Sequence, residues 1–400
     1  MTMFNRRHAL HLAAGLGLAG VATARAQTIT LPFANGERPL VQYPQKRPLI
    51  RLTSRPPQLE TPFSVFGEGV ITPNDAFFVR YHLSGNVPPQ DLDPETYRLA
   101  VTGRVTRPLS LSLAEIKALP ATEVVAVHQC SGNSRGFSEP RVGGGQAAHG
   151  LMGNALWRGV TLKSVLERAG IASGAVEVSF NGLDEPPAPD TPDFTKSLRL
   201  DHATDGQVML AWAMNGADLP VLNGYPLRLV VPGYFGTYWV KHLHEITVLD
   251  KPSDSFWMAS AYRVPDNDCA CVPAGAPAGP TRPIGKFNIR SFITAPAEAG
   301  RVAAGRPVTV TGIAFDGGTG IAKVEVSADG GRRWVDARLE TALSRYSFRR
   351  FAVEVTLPAG VHGLMARATS TAGETQPMEA RWNPAGYMRN VVETVTVTAA

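Results

Sequence analysis

The sequence predicts an α+β chain: a mixed-sheet domain over residues 61–280, followed by a β-sandwich over 281–400. Three observations predict it. Short apolar runs alternate with Gly/Pro turns from about 61 to 265, only two stretches carry helical periodicity, and evenly spaced strand patterns follow a Pro/Gly-rich segment at 272–285. Composition agrees. The 400 residues, 44% hydrophobic, can bury a core without staples, and 39 Gly with 32 Pro favour turns and short strands over a helix bundle. Three cysteines exclude a disulfide scaffold, and the apolar fraction excludes a disordered chain.

Residues 1–26 read as an export signal. Arg6 and Arg7 precede a soft apolar stretch, Ala9 to Ala24, which ends in the cleavage pattern Ala24-Arg25-Ala26. The stretch is too short and too Gly-rich for a membrane span. Paired arginines suggest the twin-arginine route and hence the periplasm, with an ordinary Sec signal as the alternative. Without this segment the chain keeps 36 basic against 34 acidic residues, a net +2, which argues against a nucleic-acid partner.

Residues 27–60, rich in Pro and Arg without sustained period, are expected to form an extended arm over a domain surface. In the 61–280 domain, Val124–Val127, Val176–Phe180 and Leu227–Val231 have strand patterns. Helices are predicted over Ser112–Leu119 and over Leu162–Ala169, where Leu162, Val165, Leu166 and Ala169 share one face. The segment 272–285 is expected to be a linker. Strands then follow at Ile289–Ile293, Val308–Ile313, Ala322–Ser327, Phe351–Val355, Leu364–Ala368 and Val392–Thr398, with hairpin turns at Asp316-Gly317-Gly318 and Ala328–Gly331. That spacing suggests an Ig-like sandwich.

Three constellations could carry chemistry. In Phe77-Phe78-Val79-Arg80-Tyr81-His82, an extended segment sends Arg80 and His82 to the same side, which suits an anion; a surface strand edge has the same pattern. In His128-Gln129-Cys130-Ser131-Gly132-Asn133-Ser134-Arg135, a strand delivers Cys130 to a small-residue loop with a cation nearby. This is either a reactive or metal-binding thiolate or a buried structural Cys. In the third, Arg228 and Lys241 flank Pro232-Gly233 and could grip a phosphate. His242 and His244 lack a third zinc ligand at sensible spacing. No C-x-x-C-H occurs, so no covalent c-type haem is expected in this chain. Cys269 and Cys271, one residue apart, are expected to be free buried thiols, since that spacing strains a disulfide.

Taken together, F-V-R-x-H, Q-C-x-G-N, M-N-G-x-x-L-P, P-L-R-L-V-V-P-G and W-V-K-x-L, in this order, resemble the sulfite oxidase family of molybdenum enzymes. The wording is nearest to the bacterial periplasmic sulfite dehydrogenases. The segment Val324 to Trp334 is similar to that family's C-terminal Ig-like domain. The resemblance implies a molybdenum ion held by Cys130 and one pyranopterin dithiolene. It implies cofactor contacts from Phe78, Val79, Arg80, His82, Asp184, Asn223, Arg228, Trp239, Val240 and Lys241, with Arg228 and Lys241 on the phosphate. For the substrate pocket it implies Tyr262, Arg80, Arg135 and His82 as catalytic residues, with Arg389 lent by the C-terminal domain; the alternative for His82 is that it only orders Arg80. Tyr81 and Asn223 stand where the vertebrate enzymes carry Asn and His.

The activity so implied is oxidation of sulfite to sulfate, with electrons leaving singly to a c-type cytochrome. No cytochrome b5-like domain precedes the first motif, so the acceptor is expected to be separate, either a free protein or the second subunit of a heterodimer; a homodimer is the other arrangement. The sulfane dehydrogenase component of a thiosulfate-oxidising complex shares these motifs, and a protein methionine sulfoxide reductase is a third reading. A non-catalytic adhesion module would leave the export signal, Cys130 and the cationic strand unexplained.

Overall fold

The computed structural model describes residues 27–89 and 92–400; the predicted export signal lies outside them. The chain is mostly β, and the longest helix among the described residues, Leu162–Ala169, has eight residues. It begins at Thr161, whose hydroxyl accepts from the Ser164 N–H, and ends at Gly170, which supplies a φ of +70°. Its four predicted apolar residues are all buried. The helix Leu113–Lys117 starts on a capping box, Ser112 and Glu115 satisfying each other's backbone N–H groups.

The segment 27–60 departs from the expected arm. Strands Thr28–Thr30, Glu37–Val41, Leu49–Thr53, Gln58–Glu60 and Val79–Arg80 pair as consecutive neighbours of one five-stranded sheet. Leu49 and Leu59 are buried together with Val79, Tyr81 and Leu222. The strand period was hidden because the register shifts between Arg51 and Thr53, which interrupts the alternation. This sheet positions the first motif, since its last strand ends in Arg80.

Two further sheets complete the domain. One runs Thr195–Arg199, Glu177–Gly182, Leu243–Leu249, Arg98–Gly103, Leu109–Ser112, with Leu243–Leu249 parallel to Arg98–Gly103. The other runs Ala217–Asp218, Met209–Met214, Met152–Thr161, Thr122–Gln129, with Arg228–Val230 also paired to Met209–Met214. The expected linker is partly a strand: Thr281–Pro283 pairs with Arg263–Pro265.

Beyond it, two sheets face each other. Arg290–Ala295, Pro307–Phe315, Arg349–Thr356 and Arg338–Leu339 form one; Gly300–Val302, Thr394–Ala399, Gly360–Ser370, Ile321–Ser327 and Val335–Asp336 form the other. Val310 and Phe351 meet Val324, Leu364 and Val397 between them. The turn at Ala328–Gly331 does join a hairpin, Ile321–Ser327 with Val335–Asp336. The one at Asp316-Gly317-Gly318 does not. It carries the chain from one sheet to the other, its Asp316 carboxylate accepting from the N–H groups of Gly318 and Gly320. Phe292, Phe315 and Phe348 of the sandwich join the large core of the preceding domain, so the two share an apolar seam.

Cys269 and Cys271 are joined in a disulfide, against the expected free thiols. Ala270 between them has a φ of +49°, which folds the three residues tightly and leaves the Cα atoms 5.1 Å apart, within reach of a bridge. Cys130 is free. No helix among the described residues is long and apolar enough to cross a membrane.

Candidate active site

Strand alternation builds one wall of the site. Phe78, Arg80 and His82 line a cavity, whereas Val79 and Tyr81 turn into the apolar cluster behind it. The Val79 side chain lies on the opposite face, so only its backbone is left to serve the cofactor contact the resemblance implies. The same cavity is lined by Cys130, Asp184, Trp239, Val240, Lys241 and Tyr262.

Cys130 follows the strand Thr122–Gln129 and is half-buried. Its loop is braced. The Cys130 N–H donates to Leu151 O at 2.9 Å, and Asn133 Oδ1 accepts from the Leu151 N–H at 3.0 Å. Gly132 leaves room for the Arg135 guanidinium, since a Cβ there would stand 2.8 Å from Arg135 Cζ and displace it. Arg135 folds back over the loop and donates from Nε to Ala385 O at 3.0 Å.

Tyr262 is the meeting point of the first motif. Its hydroxyl lies 2.5 Å from His82 Nε2 and 3.5 Å from Arg80 Nη2. Burial holds the His82 pKa well below the usual imidazole value, and Arg80, Lys241 and Lys196 push it the same way. Burial raises the Tyr262 pKa. A neutral imidazole and a protonated phenol thus share one hydrogen bond, whose direction follows the His82 tautomer, and the Tyr262 oxygen also receives the contact from Arg80. His82, stacked on Phe194 at 3.7 Å, is thus hydrogen-bonded to Tyr262 and not to Arg80, the residue it would order on the alternative reading.

Lys241 donates to Arg80 O and stands 4.0 Å over the Tyr81 ring. Burial lowers its pKa to about 7, against the opposing pull of Asp184. Arg228 and Asn223 lie one layer back. The Arg228 guanidinium donates to Asn223 O at 2.7 Å and Trp239 O at 3.1 Å, between the rings of Trp157 and Trp239. The Asn223 amide is bound by Lys46, whose Nζ is 2.6 Å from Oδ1, and itself donates to Phe78 O. Lys46 was not anticipated; a lone Lys in a Pro-rich segment carries no sequence signal.

Arg389 is not in the cavity. Its guanidinium makes a two-pronged ion pair with Glu393, at 2.9 and 3.0 Å, and donates to Phe137 O. The nearby carboxylate outcompetes the pocket for it. The residue that the sandwich does send toward the site is Tyr387. Its ring is parallel to that of Tyr262 at 5.5 Å, and the Arg135 guanidinium is 4.9 Å from its centroid.

The cavity's chemistry fits the molybdenum–pyranopterin group that the resemblance implies. It offers a single free thiol, the cations Arg80 and Lys241, and aromatic walls. His128 Nδ1, Ser131 Oγ, Thr237 Oγ1 and Arg228 Nε are buried around it without a hydrogen-bond partner among the described residues. Gly236 leaves room for His128: a Cβ there would come within 2.6 Å of Nε2. Cys130 would be the metal ligand and the unpartnered polar atoms the contacts of a polar ring system.

The chain matches the oxidoreductase molybdopterin binding domain over residues 84–257 and the Mo-co oxidoreductase dimerisation domain over 281–400. It is 34% identical to mitochondrial sulfite oxidase of Mus musculus over 92% of this chain and 68% of that one. It is 30% identical to sulfite oxidase of Arabidopsis thaliana, over 90% of this chain and 96% of that one. Among solved structures, the sulfane dehydrogenase SoxCD of Paracoccus pantotrophus superposes with a TM-score of 0.74 at 26% identity, covering 96% of this chain and 93% of that one. The motifs around Cys130, the cavity they line and these similarities over most of the chain agree: the chain belongs to the sulfite oxidase family of molybdenum enzymes.

Proposed function

We propose that the protein oxidises sulfite to sulfate and passes the two electrons singly to a c-type cytochrome in the periplasm. The observation that carries this reading is the convergence of Arg80, His82 and Tyr262 on the cavity that contains Cys130. The sulfite oxidases among its relatives support the substrate. Sulfite and water give sulfate, two protons and two electrons, and molybdenum held by Cys130 and a pyranopterin dithiolene supplies the oxygen-transfer and redox chemistry when bound.

The protein's own residues do the rest. Arg80 and Lys241 attract a small dianion, and Tyr262, held by His82, presents its hydroxyl group to the cavity beside them. Arg80, His82, Trp239 and Lys241 would also hold the cofactor, with Arg228 behind them. Export is supported by Arg6-Arg7 and Ala24-Arg25-Ala26. We read the sandwich as Ig-like and as the surface for a second subunit, a further copy or a cytochrome; the match to a dimerisation domain supports this.

A second reading has its own support. The whole-chain likeness to a sulfane dehydrogenase favours a sulfane sulfur as substrate equally well. Sulfite-dependent reduction of ferricytochrome c by the molybdenum-loaded protein separates the two. Rapid reduction that is lost in Tyr262→Phe combined with Arg135→Ala upholds the first. Absence of reduction with molybdenum bound, together with turnover of a protein-bound sulfane, would establish the second.

A further inference from the structure

A buried lysine stands beside the site, with no sequence motif to mark it. Lys196, on the strand Thr195–Arg199, is 1% exposed. Its Nζ donates to Trp257 O at 2.6 Å and lies 4.7 Å from the ring centroid of Tyr238 and 5.5 Å from that of Tyr262. Among the described residues no carboxylate forms an ion pair with it, and the charged neighbour it feels most is another cation, Arg263.

An unpaired ammonium in a protein interior is costly, and core positions usually carry an apolar residue instead. Two aromatic faces and one carbonyl offset part of that cost. Among the described residues the ammonium has no counter-charge of its own. Lys196, Arg80 and Lys241 all act on His82, so they share one positive field. An anion in front of Tyr262 would be the counter-charge that Lys196 lacks.

We propose that Lys196 is a positioning residue of the anion site: it holds the Tyr262 ring from behind and lends its charge to anion binding in front of it. This rests on the reading of the cavity as a site for a small oxyanion. The groups facing Lys196 are Trp257 O from the helix Phe256–Ala259, Tyr238 from the turn Gly236–Tyr238, Tyr262 and Arg263, and His82 across the cavity wall. Glu177, on the neighbouring strand, is engaged with Ser197 Oγ and the Ser253 N–H. Burial lowers the Lys196 pKa to about 7, so without an anion its charge is present below that pH and lost above it. A bound anion draws the proton back, which makes binding weaken as pH rises.

The test is calorimetric titration of inorganic sulfate into the holoenzyme at about pH 6 and about pH 9, for wild type, Lys196→Met and Lys196→Arg. Lys196→Met is expected to weaken sulfate about fivefold at the lower pH, with the difference shrinking at the higher one. Lys196→Arg, which cannot lose its charge, should keep the affinity at the lower pH and show a shallower decline toward the higher one. Sulfite KM should rise in Lys196→Met more than kcat falls. Equal sulfate affinity of wild type and Lys196→Met at the lower pH would overturn the proposal. Should Lys196→Met fail to fold, an unaltered pH dependence in Lys196→Arg would do the same. Absence of sulfate binding by the wild-type holoenzyme would instead overturn the anion-site reading, and this inference with it.

Discussion

Tyr262 of the first domain and Tyr387 of the sandwich lie face to face, 5.5 Å apart with their planes 8° from parallel. Neither ring is held by the stack alone. Tyr262 is tied to His82, and the Tyr387 backbone is tied at both ends to one side chain: its N–H donates to Asn383 Oδ1 and its carbonyl accepts from Asn383 Nδ2. The C-terminal domain thus forms part of the wall behind the substrate cavity.

Tyr387→Ala removes the ring on which both Tyr262 and the Arg135 guanidinium rest. An aromatic pair of this kind contributes about 0.5–1.5 kcal/mol, so sulfite KM is expected to rise roughly two- to tenfold. Tyr387→Phe keeps the face and loses only the hydroxyl's hydrogen bond with Arg135, so it should fall between wild type and Tyr387→Ala. Steady-state kinetics of both variants check this, and an unchanged KM in Tyr387→Ala would refute it.

Cys130→Ser replaces a soft thiolate by a hard, weakly acidic hydroxyl of similar size. The loop's backbone hydrogen bonds do not involve the sulfur, so the variant should fold with a near-normal melting temperature. Sulfite oxidation should fall by at least about a hundredfold, as expected on loss of a metal ligand. Wild-type turnover would remove Cys130 from the metal's ligands.

Arg389→Ala is expected to cost stability and to leave substrate affinity largely intact. The lost ion pair is two-pronged and half-buried, but Arg290 stays within 3.4 Å of Glu393 and limits the damage to about 1–3 kcal/mol. Denaturant titration and sulfite KM, measured together, decide it. A tenfold rise in KM without loss of stability would return Arg389 to the pocket.

Glu60 should make stability fall between about pH 4.5 and pH 7. Its carboxylate accepts from the N–H groups of Ala148 and Gly150, yet burial pushes its pKa up to about 7. Below the unfolded value both states hold the proton. Between the two values the unfolded chain releases it and the folded chain keeps it, so unfolding gains. Glu60→Gln should flatten that part of the profile, removing a decline of about 3 kcal/mol. Identical profiles of the two proteins from denaturation midpoints would contradict this.

Much of the site was legible because its signals are local. Phe78, Arg80 and His82 follow from a period of two, and Cys130 at the mouth of a small-residue loop follows from the Gly132 and Asn133 that brace it. The helix Leu162–Ala169 was legible for the same reason, its cap, its apolar face and its Gly170 stop lying within one short window. Where local signals misled, a non-local contact had intervened. The bulge at Arg51 and Thr53 hid the N-terminal strands, and Asp316-Gly317-Gly318 specified a turn without specifying that it changes sheets. One miss was local: the left-handed Ala270 brings Cys269 and Cys271 within bridging distance, a backbone conformation that spacing along the chain does not specify.

By itself, the sequence determined the many short strands and the scarcity of helix, though it read as α+β where the chain is mostly β, and it determined the face on which the first motif points, the candidate metal ligand and the family. Those properties depend on residue order and on backbone preferences that act over a few residues. Tertiary structure alone decided that His82 serves Tyr262, that Arg389 is spent on Glu393, that Tyr387 takes the place expected of it, and that Lys196 lies unpaired behind the site. Each is a choice among partners brought together from distant parts of the chain. Burial and the nearest opposite charge settle that choice, and neither can be read from spacing along the sequence.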